Sequence, residues 1–218
     1  ASYLVKALRK EFQKEKDLSI EAVTGLLPPS EREARIEELG LERTASGGIR
    51  VDEFMRTSIA GIYAIGDVTG EYMYAYVASK EAETAVDHST GGERKVSYRH
   101  IPSIIFTDPE VASVGSVTDT AETNGIRSGA FPVSALGRAR TMDENDGYAE
   151  VVASRSGMIQ KINVIAPHAT ELISWASLAV SRELSIDEFL EPYYPHPLLA
   201  EAIKEAAEDV MGLSIHHP

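Results

Sequence analysis

The stretch IPSIIFTDPEVASVG, residues 101–115, marks the point where the pattern of this 218-residue chain changes. From here on, short runs rich in β-branched residues alternate with turn residues, as is typical of antiparallel strands. The runs are 101–106, 111–114, 126–133, 148–153 and 158–165, with a short helix predicted near Glu122. Helical segments follow at 168–182, 185–190 and 198–211. Strands followed by helices predict an α+β domain with an antiparallel sheet and flanking helices.

The part of the chain before this stretch has a different organisation. Residues 2–16 carry apolar side chains at helical spacing, and 18–23 are predicted to be extended. Ser30 is expected to cap a charged helix that ends at Gly40. The run 89–95, STGGERK, is the best candidate for a linker. We therefore expect one domain over 1–97 and a second over 98–218.

Composition excludes several classes of function. The net charge of −13 argues against nucleic acid or an anionic membrane as a partner. With no cysteine, the chain holds no disulfide, thiolate metal site or redox dithiol. No metal site is expected, since His216 and His217 have no third ligand at suitable spacing. Because no signal peptide or membrane-spanning run is visible, we expect a cytoplasmic protein.

The segment YYPHPLLAE, residues 193–201, combines a histidine with a nearby carboxylate. Pro197 suits the first position of a helix, and side chains on a helix tilt toward its N-terminus. Glu201 is therefore expected to reach back to His196 and to orient its ring. A base with an orienting carboxylate is typical of proton-transfer catalysis. The alternative is an ordinary capped surface helix with an acidic face. His88 and His100 have no predicted partner, and His168 is read as structural.

The apolar run GIYAIGD, residues 61–67, is predicted to be a strand that ends in a glycine and an acid. Ligands bind beyond the carboxyl ends of strands in open α/β folds. Gly66 would allow close approach of the backbone, and Asp67 could accept hydrogen bonds from ligand hydroxyls. A helix predicted over 72–87 would point its positive end at the ligand. The alternative is a buried strand closed by a turn.

Several motifs together resemble the pyridine nucleotide-disulfide oxidoreductases. Thr57 followed by GIYAIGD is similar to the family's second flavin-binding motif, and 101–115 is similar to the start of its C-terminal interface domain. GRA at 137–139, PHATELI at 167–173 and HPLLAE at 196–201 follow in family order and spacing. Within the family, the segment 205–216 most resembles the dihydrolipoyl dehydrogenase branch, which oxidises dihydrolipoyl groups with NAD⁺.

The resemblance implies a fold, a mechanism and cofactors. It implies a C-terminal dimerisation domain preceded by a partial FAD/NAD-binding α/β segment. FAD and NAD are the cofactors of the intact enzyme, and a dihydrolipoyl-bearing protein or a small dithiol is its substrate. Asp67 would bind the ribityl chain, while backbone groups around Met73, Tyr74 and Ala75 would face the flavin ring. His196 would be the base and Glu201 its orienter, at the active site of the other subunit of a homodimer.

The chain also departs from the family pattern. The family's Gly-x-Gly-x-x-Gly loop and its Cys-x4-Cys redox pair are missing from this sequence. We therefore expect the chain alone to bind no cofactor and to be inactive. The alternatives are a non-catalytic dimerisation module and part of a mercuric or glutathione-type reductase. A homodimer is expected through apolar helix faces that carry Trp175, Leu178, Leu199 and Ile203.

Overall fold

The computed structural model describes residues 28–117 and 125–216. The chain divides into two compact units between Ser97 and Tyr98. The helix predicted over 2–16, the extended piece at 18–23 and the short helix near Glu122 lie outside the described residues. No helix in the described ranges is long and apolar enough to span a lipid bilayer.

The first unit contains helix α1 (Pro29–Leu39), a 3-10 helix (Gly66–Thr69) and helix α2 (Ala75–Ser89). The predicted end of α1 is confirmed, because Gly40 adopts φ 65° and donates its N–H to the carbonyl of Glu37. The prediction that Ser30 caps this helix is wrong. Pro28 occupies the cap position and the helix begins at Pro29, where a proline loses no hydrogen bond and has a suitable φ.

The run GIYAIGD does not form the predicted strand. Tyr63 pairs with Arg56 in an isolated bridge, and the run ends in the 3-10 helix. A β-strand needs neighbouring strands that form backbone hydrogen bonds with it along its length. Within the described residues, this run forms only the single bridge between Tyr63 and Arg56. Helix α2 begins at Ala75 rather than near residue 72, with Tyr74 as its N-cap. The turn at Gly66 and the helix after it are present as expected, but residues 61–65 do not form the predicted strand before them.

The second unit is built on a five-stranded sheet in the order β1-β2-β5-β4-β3. All neighbouring strands are antiparallel, which confirms the predicted α+β class. The long strand β5 lies at the centre, and its residues alternate between buried and half-buried. The strands are β1 (Ser103–Ile105), β2 (Glu110–Gly115), β3 (Arg127–Pro132), β4 (Tyr148–Ala153) and β5 (Ile159–Ala166).

Helices cover this sheet and close the core. Helix α4 packs against β2 and β5, and helix α6 packs against β3 and β4. Helix α5 begins with a capping box in which Ser185 and Glu188 each accept from the other's backbone N–H. The helices are α3 (Gly137–Met142), α4 (Ala169–Ser181), α5 (Ile186–Leu190) and α6 (Glu201–Asp209).

Helix α6 lies unusually close to strand β3. A Cβ atom at Gly129 would overlap the backbone of Ala206 and Val210, so the strand has no room for a side chain there. Asp209 accepts a hydrogen bond from the N–H of Ala130 at 2.9 Å, which fixes the end of the helix to the strand. The position of α6, and of the residues before it, is therefore set by the sheet.

Two predictions about this region are wrong. Pro197 does not begin the helix, because it lies in a bend, residues 199–200 form a turn and α6 starts at Glu201; the His196–Pro197 peptide bond is cis. Leu199 and Ile203 do not form an exposed dimer face, because both are buried in the core of their own unit. The apolar face of α6 is satisfied by the sheet, and of the four proposed contact residues Leu178 alone is largely exposed, at 58%.

Candidate active site

His196 and Glu201 form a hydrogen-bonded pair at the start of α6. The Nδ1 atom of His196 lies 2.8 Å from Oε1 of Glu201. The second carboxylate oxygen accepts the N–H of Leu198 at 2.7 Å. The His196 side chain is 73% exposed, whereas that of Glu201 is only 17% exposed. The pair thus combines an accessible ring with a fixed and largely buried orienting group.

This arrangement suits a general base. A carboxylate that accepts from Nδ1 fixes the tautomer, which leaves the lone pair on Nε2. The same carboxylate stabilises the imidazolium that forms when Nε2 takes up a proton. Glu201 is itself held by the Leu198 N–H and lies in the first turn of α6, where a negative charge is favoured by the helix dipole.

An aromatic cluster anchors the segment that carries His196. Trp175 and Phe189 stack at 5.0 Å between ring centroids, and Tyr194 lies tilted against both rings. The Tyr194 hydroxyl donates to the carbonyl of Phe189. Burial, together with the negative charge of Glu208, raises the pKa of Tyr194 to about 12, so this phenol stays protonated as a donor. Tyr194 was not singled out from the sequence, although it lies two residues before His196.

A second histidine–carboxylate pair involves a glutamate of the same helix. Nδ1 of His216 lies 2.6 Å from Oε1 of Glu205, and Ser214 donates to the other oxygen at 2.9 Å. Burial alone would raise the pKa of Glu205, but the hydrogen bonds from His216 and Ser214 outweigh it and lower that pKa. No such role for His216 was predicted from the sequence, because the chain must fold back over α6 to form this contact. We read the pair as an anchor for the C-terminal segment.

The residues predicted to contact a flavin lie around a turn and a helix start in the first unit. Gly66 has φ 73°, and Asp67 follows it with an exposed side chain in the 3-10 helix. Met73 and Ala75 are exposed, and Tyr74 precedes α2 without a side-chain cap. The first turn of α2 carries no acidic residue, so its positive end is not neutralised locally.

These groups fit part of a flavin. An exposed carboxylate suits ribityl hydroxyls, and a helix start without an acid suits a polar ring edge. A glycine-rich loop for the pyrophosphate is not found in the described residues or elsewhere in the sequence. These groups therefore fit the flavin end of FAD and not its pyrophosphate.

His88 has partners that the sequence did not reveal. Its Nδ1 lies 2.8 Å from the Tyr63 hydroxyl, and its ring packs against Phe54 at 4.8 Å. Both partners are distant in sequence, so spacing gave no signal for them. The described ranges contain no group of three or more acidic or histidine side chains that could hold a metal ion.

Comparisons with known proteins identify the family to which the chain belongs. Residues 101–207 match the dimerisation domain of the pyridine nucleotide-disulphide oxidoreductases, and residues 13–82 match the pyridine nucleotide-disulphide oxidoreductase model itself. The dihydrolipoyl dehydrogenase of Halobacterium salinarum is 35% identical over 94% of this chain, and that of Bacillus subtilis is 40% identical over 85%. The chain spans only 43% and 41% of these two relatives.

Solved structures show the same architecture. The crystal structure of LpdA from Mycobacterium tuberculosis superposes with a TM-score of 0.71 at 29% identity, over 88% of this chain and 41% of that one. The flavoprotein disulfide reductase RclA from Escherichia coli superposes with a TM-score of 0.72 at 22% identity, over 88% of this chain and 44% of that one, which shows the fold alone. The chain therefore belongs to the pyridine nucleotide-disulphide oxidoreductase family and contains its dimerisation domain.

Proposed function

We propose that this chain is the C-terminal part of a flavin-dependent disulfide oxidoreductase that oxidises dihydrolipoyl groups with NAD⁺. The observation that carries the proposal is the accessible His196 ring held at 2.8 Å by a largely buried Glu201. The similarity to dihydrolipoyl dehydrogenases supports the choice of substrate class. In this proposal, residues 98–218 are the dimerisation domain and 1–97 are part of the cofactor-binding region.

His196 has the central chemical role. Its Nε2 atom accepts the proton of a substrate thiol, which leaves a thiolate able to attack a disulfide. Glu201 holds the ring in the reactive tautomer and stabilises the imidazolium, while the Tyr194 cluster fixes the segment. The proton later returns from Nε2 to the leaving sulfur or to solvent. General-base assistance of this kind contributes about 10²- to 10⁴-fold to a rate.

The first unit would contribute to the flavin site. Asp67 would bind the ribityl chain, Gly66 would let the backbone approach it, and the backbone around Met73, Tyr74 and Ala75 would face the ring. Bound FAD supplies two-electron chemistry that links the disulfide to NAD⁺. The described residues position and orient this group, and the rest of the site would come from sequence outside this chain.

The proposed partner at the interface is a second copy of the chain. The match to a dimerisation domain supports this choice. The edge strand β1 and the residue after it expose Ile105 and Phe106, the latter at 77%, and Tyr193 is fully exposed next to the His196 segment. Apolar and aromatic side chains of this kind are enriched in protein interfaces. A cytoplasmic location and a lipoyl-bearing protein partner remain predictions.

The alternative is a dimerisation module without turnover. The absence of cysteine from the chain favours it, because no dithiol chemistry is possible within these residues. The two readings differ in the length of the reading frame that encodes the chain. Only the catalytic function requires a reading frame that also encodes the glycine-rich loop and the redox cysteines.

Titration with FAD tests the proposal. The 218-residue chain is expected to show no flavin binding, because one carboxylate and one helix start do not recognise a dinucleotide. The protein from the complete reading frame is expected to purify yellow and to reduce NAD⁺ with dihydrolipoamide. A complete protein without flavin or turnover would contradict the proposal, and so would a reading frame that ends with this chain alone.

A further inference from the structure

Glu81 is a fully buried carboxylate in the middle of helix α2. Its Oε2 atom accepts the backbone N–H of Gly66 at 2.6 Å. Burial of a carboxylate is costly unless the group is hydrogen-bonded or paired, so an acid at this position needs a reason beyond filling space. The contact joins α2 to the turn that carries Asp67.

The Glu81 contact is part of a clamp around Gly66. The Thr69 hydroxyl, also buried, donates to the Gly66 carbonyl at 2.9 Å, so the residue is held on both of its peptide groups. A Cβ atom at Gly66 would lie 3.2 Å from the Cβ of Ala78, which is one turn before Glu81 on α2. Gly66 therefore fits against the face of α2 that Ala78 and Glu81 share.

The N–H that Glu81 binds is the first of the 3-10 helix Gly66–Thr69. The residue before this helix, Ile65, provides no side-chain cap. Glu81 thus acts as a cap that is supplied by a different helix. Because glycine is permissive in φ, the turn would otherwise have several accessible conformations.

We propose that Glu81 is a positioning residue for the flavin site: by binding the N–H of Gly66, it fixes the turn that presents the Asp67 carboxylate. The role rests on the proposed function, since it assumes that Asp67 binds a flavin. Without the clamp, the turn would be ordered only when the ligand binds, and the cost of that ordering would weaken affinity.

Substitutions at Glu81 separate positioning from packing. Glu81→Gln keeps an acceptor of the same reach, so the complete protein should bind FAD with near wild-type affinity. Glu81→Leu fills similar space but leaves the Gly66 N–H buried without this acceptor. Its dissociation constant for FAD should rise about 10- to 100-fold, in line with the loss of a hydrogen bond to a charged group. Glu81→Asp keeps the charge, loses the reach and should also weaken binding.

The control is Thr84→Val, which removes a buried polar group one turn further along the same helix. This variant should bind FAD like the wild type, with the same visible circular dichroism of the flavin. A readout without flavin is the Gly66 amide proton, whose NMR resonance should lie downfield in the wild type and Gln variants and move upfield in Leu and Asp.

Three results would overturn the role. Equal FAD affinity in the wild type and in the Glu81→Leu and Glu81→Asp variants would do so. A dissociation constant for FAD that rises as much in Thr84→Val as in Glu81→Leu would also do so. If the Leu variant does not fold, the Asp variant alone decides by the same comparison. A complete wild-type protein that binds no FAD would refute the proposed function, and this role with it, even where the Gly66 amide shift confirms the contact.

Discussion

A complete enzyme that carries His196→Ala is expected to oxidise dihydrolipoamide with a kcat/KM about 10²- to 10⁴-fold below wild type. The substitution removes the group that accepts the thiol proton and leaves Glu201 without the ring that it orients. Transfer of electrons from NADH to the flavin involves no thiol proton, so it should stay at the wild-type rate. Steady-state oxidation of dihydrolipoamide measures the first activity, and rapid-mixing reduction of the flavin by NADH measures the second on the same sample.

The second histidine pair provides a matched control for this substitution. His216 is also exposed, and it is also bonded through Nδ1 to a glutamate of helix α6. His216→Ala should leave both activities unchanged, because this ring is assigned only to anchoring the C-terminal segment. Equal loss of dithiol oxidation and of NADH-to-flavin transfer in His196→Ala would argue against the base role.

Ile203→Ala is expected to destabilise the second unit strongly. Ile203 is fully buried between α6 and the sheet, beside alanines that are also fully buried. Loss of its side chain should lower the free energy of unfolding by about 2–5 kcal/mol, because the removed methylene groups leave a cavity. The close contact of α6 with Gly129 prevents the helix from moving further inward to fill that cavity. Denaturant unfolding monitored by circular dichroism measures this difference.

Leu178→Ala is the control for Ile203→Ala, since Leu178 is more than half exposed on helix α4. Its effect should stay within about 0.5 kcal/mol. A small loss for Ile203→Ala, combined with dissociation of the dimer, would instead favour the original expectation that Ile203 faces a partner. That outcome would contradict the packing of α6 described here.

Much of the second unit was predictable because its signals are local. The strand runs are rich in β-branched residues, and turn residues bound them, so the five strands of the sheet were located to within a few residues. The capping residues of α1 and α6 were harder to assign, because a proline near a helix start fits more than one position. The His196–Glu201 contact was expected from helix geometry, whereas a bend at 196–197 and a turn at 199–200 bring the two side chains together.

The remaining features depend on contacts between residues that are distant in sequence. Whether residues 62–67 form a strand depends on neighbours that pair with them, and the run itself does not identify those neighbours. Likewise, an apolar helix face does not reveal whether a sheet or a second subunit covers it, which is why Leu199 and Ile203 were misassigned. The Glu81–Gly66 and Glu205–His216 contacts join separate segments and gave no spacing signal.

His196 and Glu201 are proposed to be half of a catalytic site that a second subunit completes, and hybrid dimers distinguish this arrangement from a site within one subunit. One parent is the complete protein with His196→Ala, and the other is the complete protein with its redox cysteines replaced by serine. Each parent should oxidise dihydrolipoamide at least about 10²-fold more slowly than wild type. Hybrids purified through two different affinity tags should recover activity, because one of their two sites combines an intact histidine with intact cysteines. Hybrids that form but remain inactive would contradict the claim.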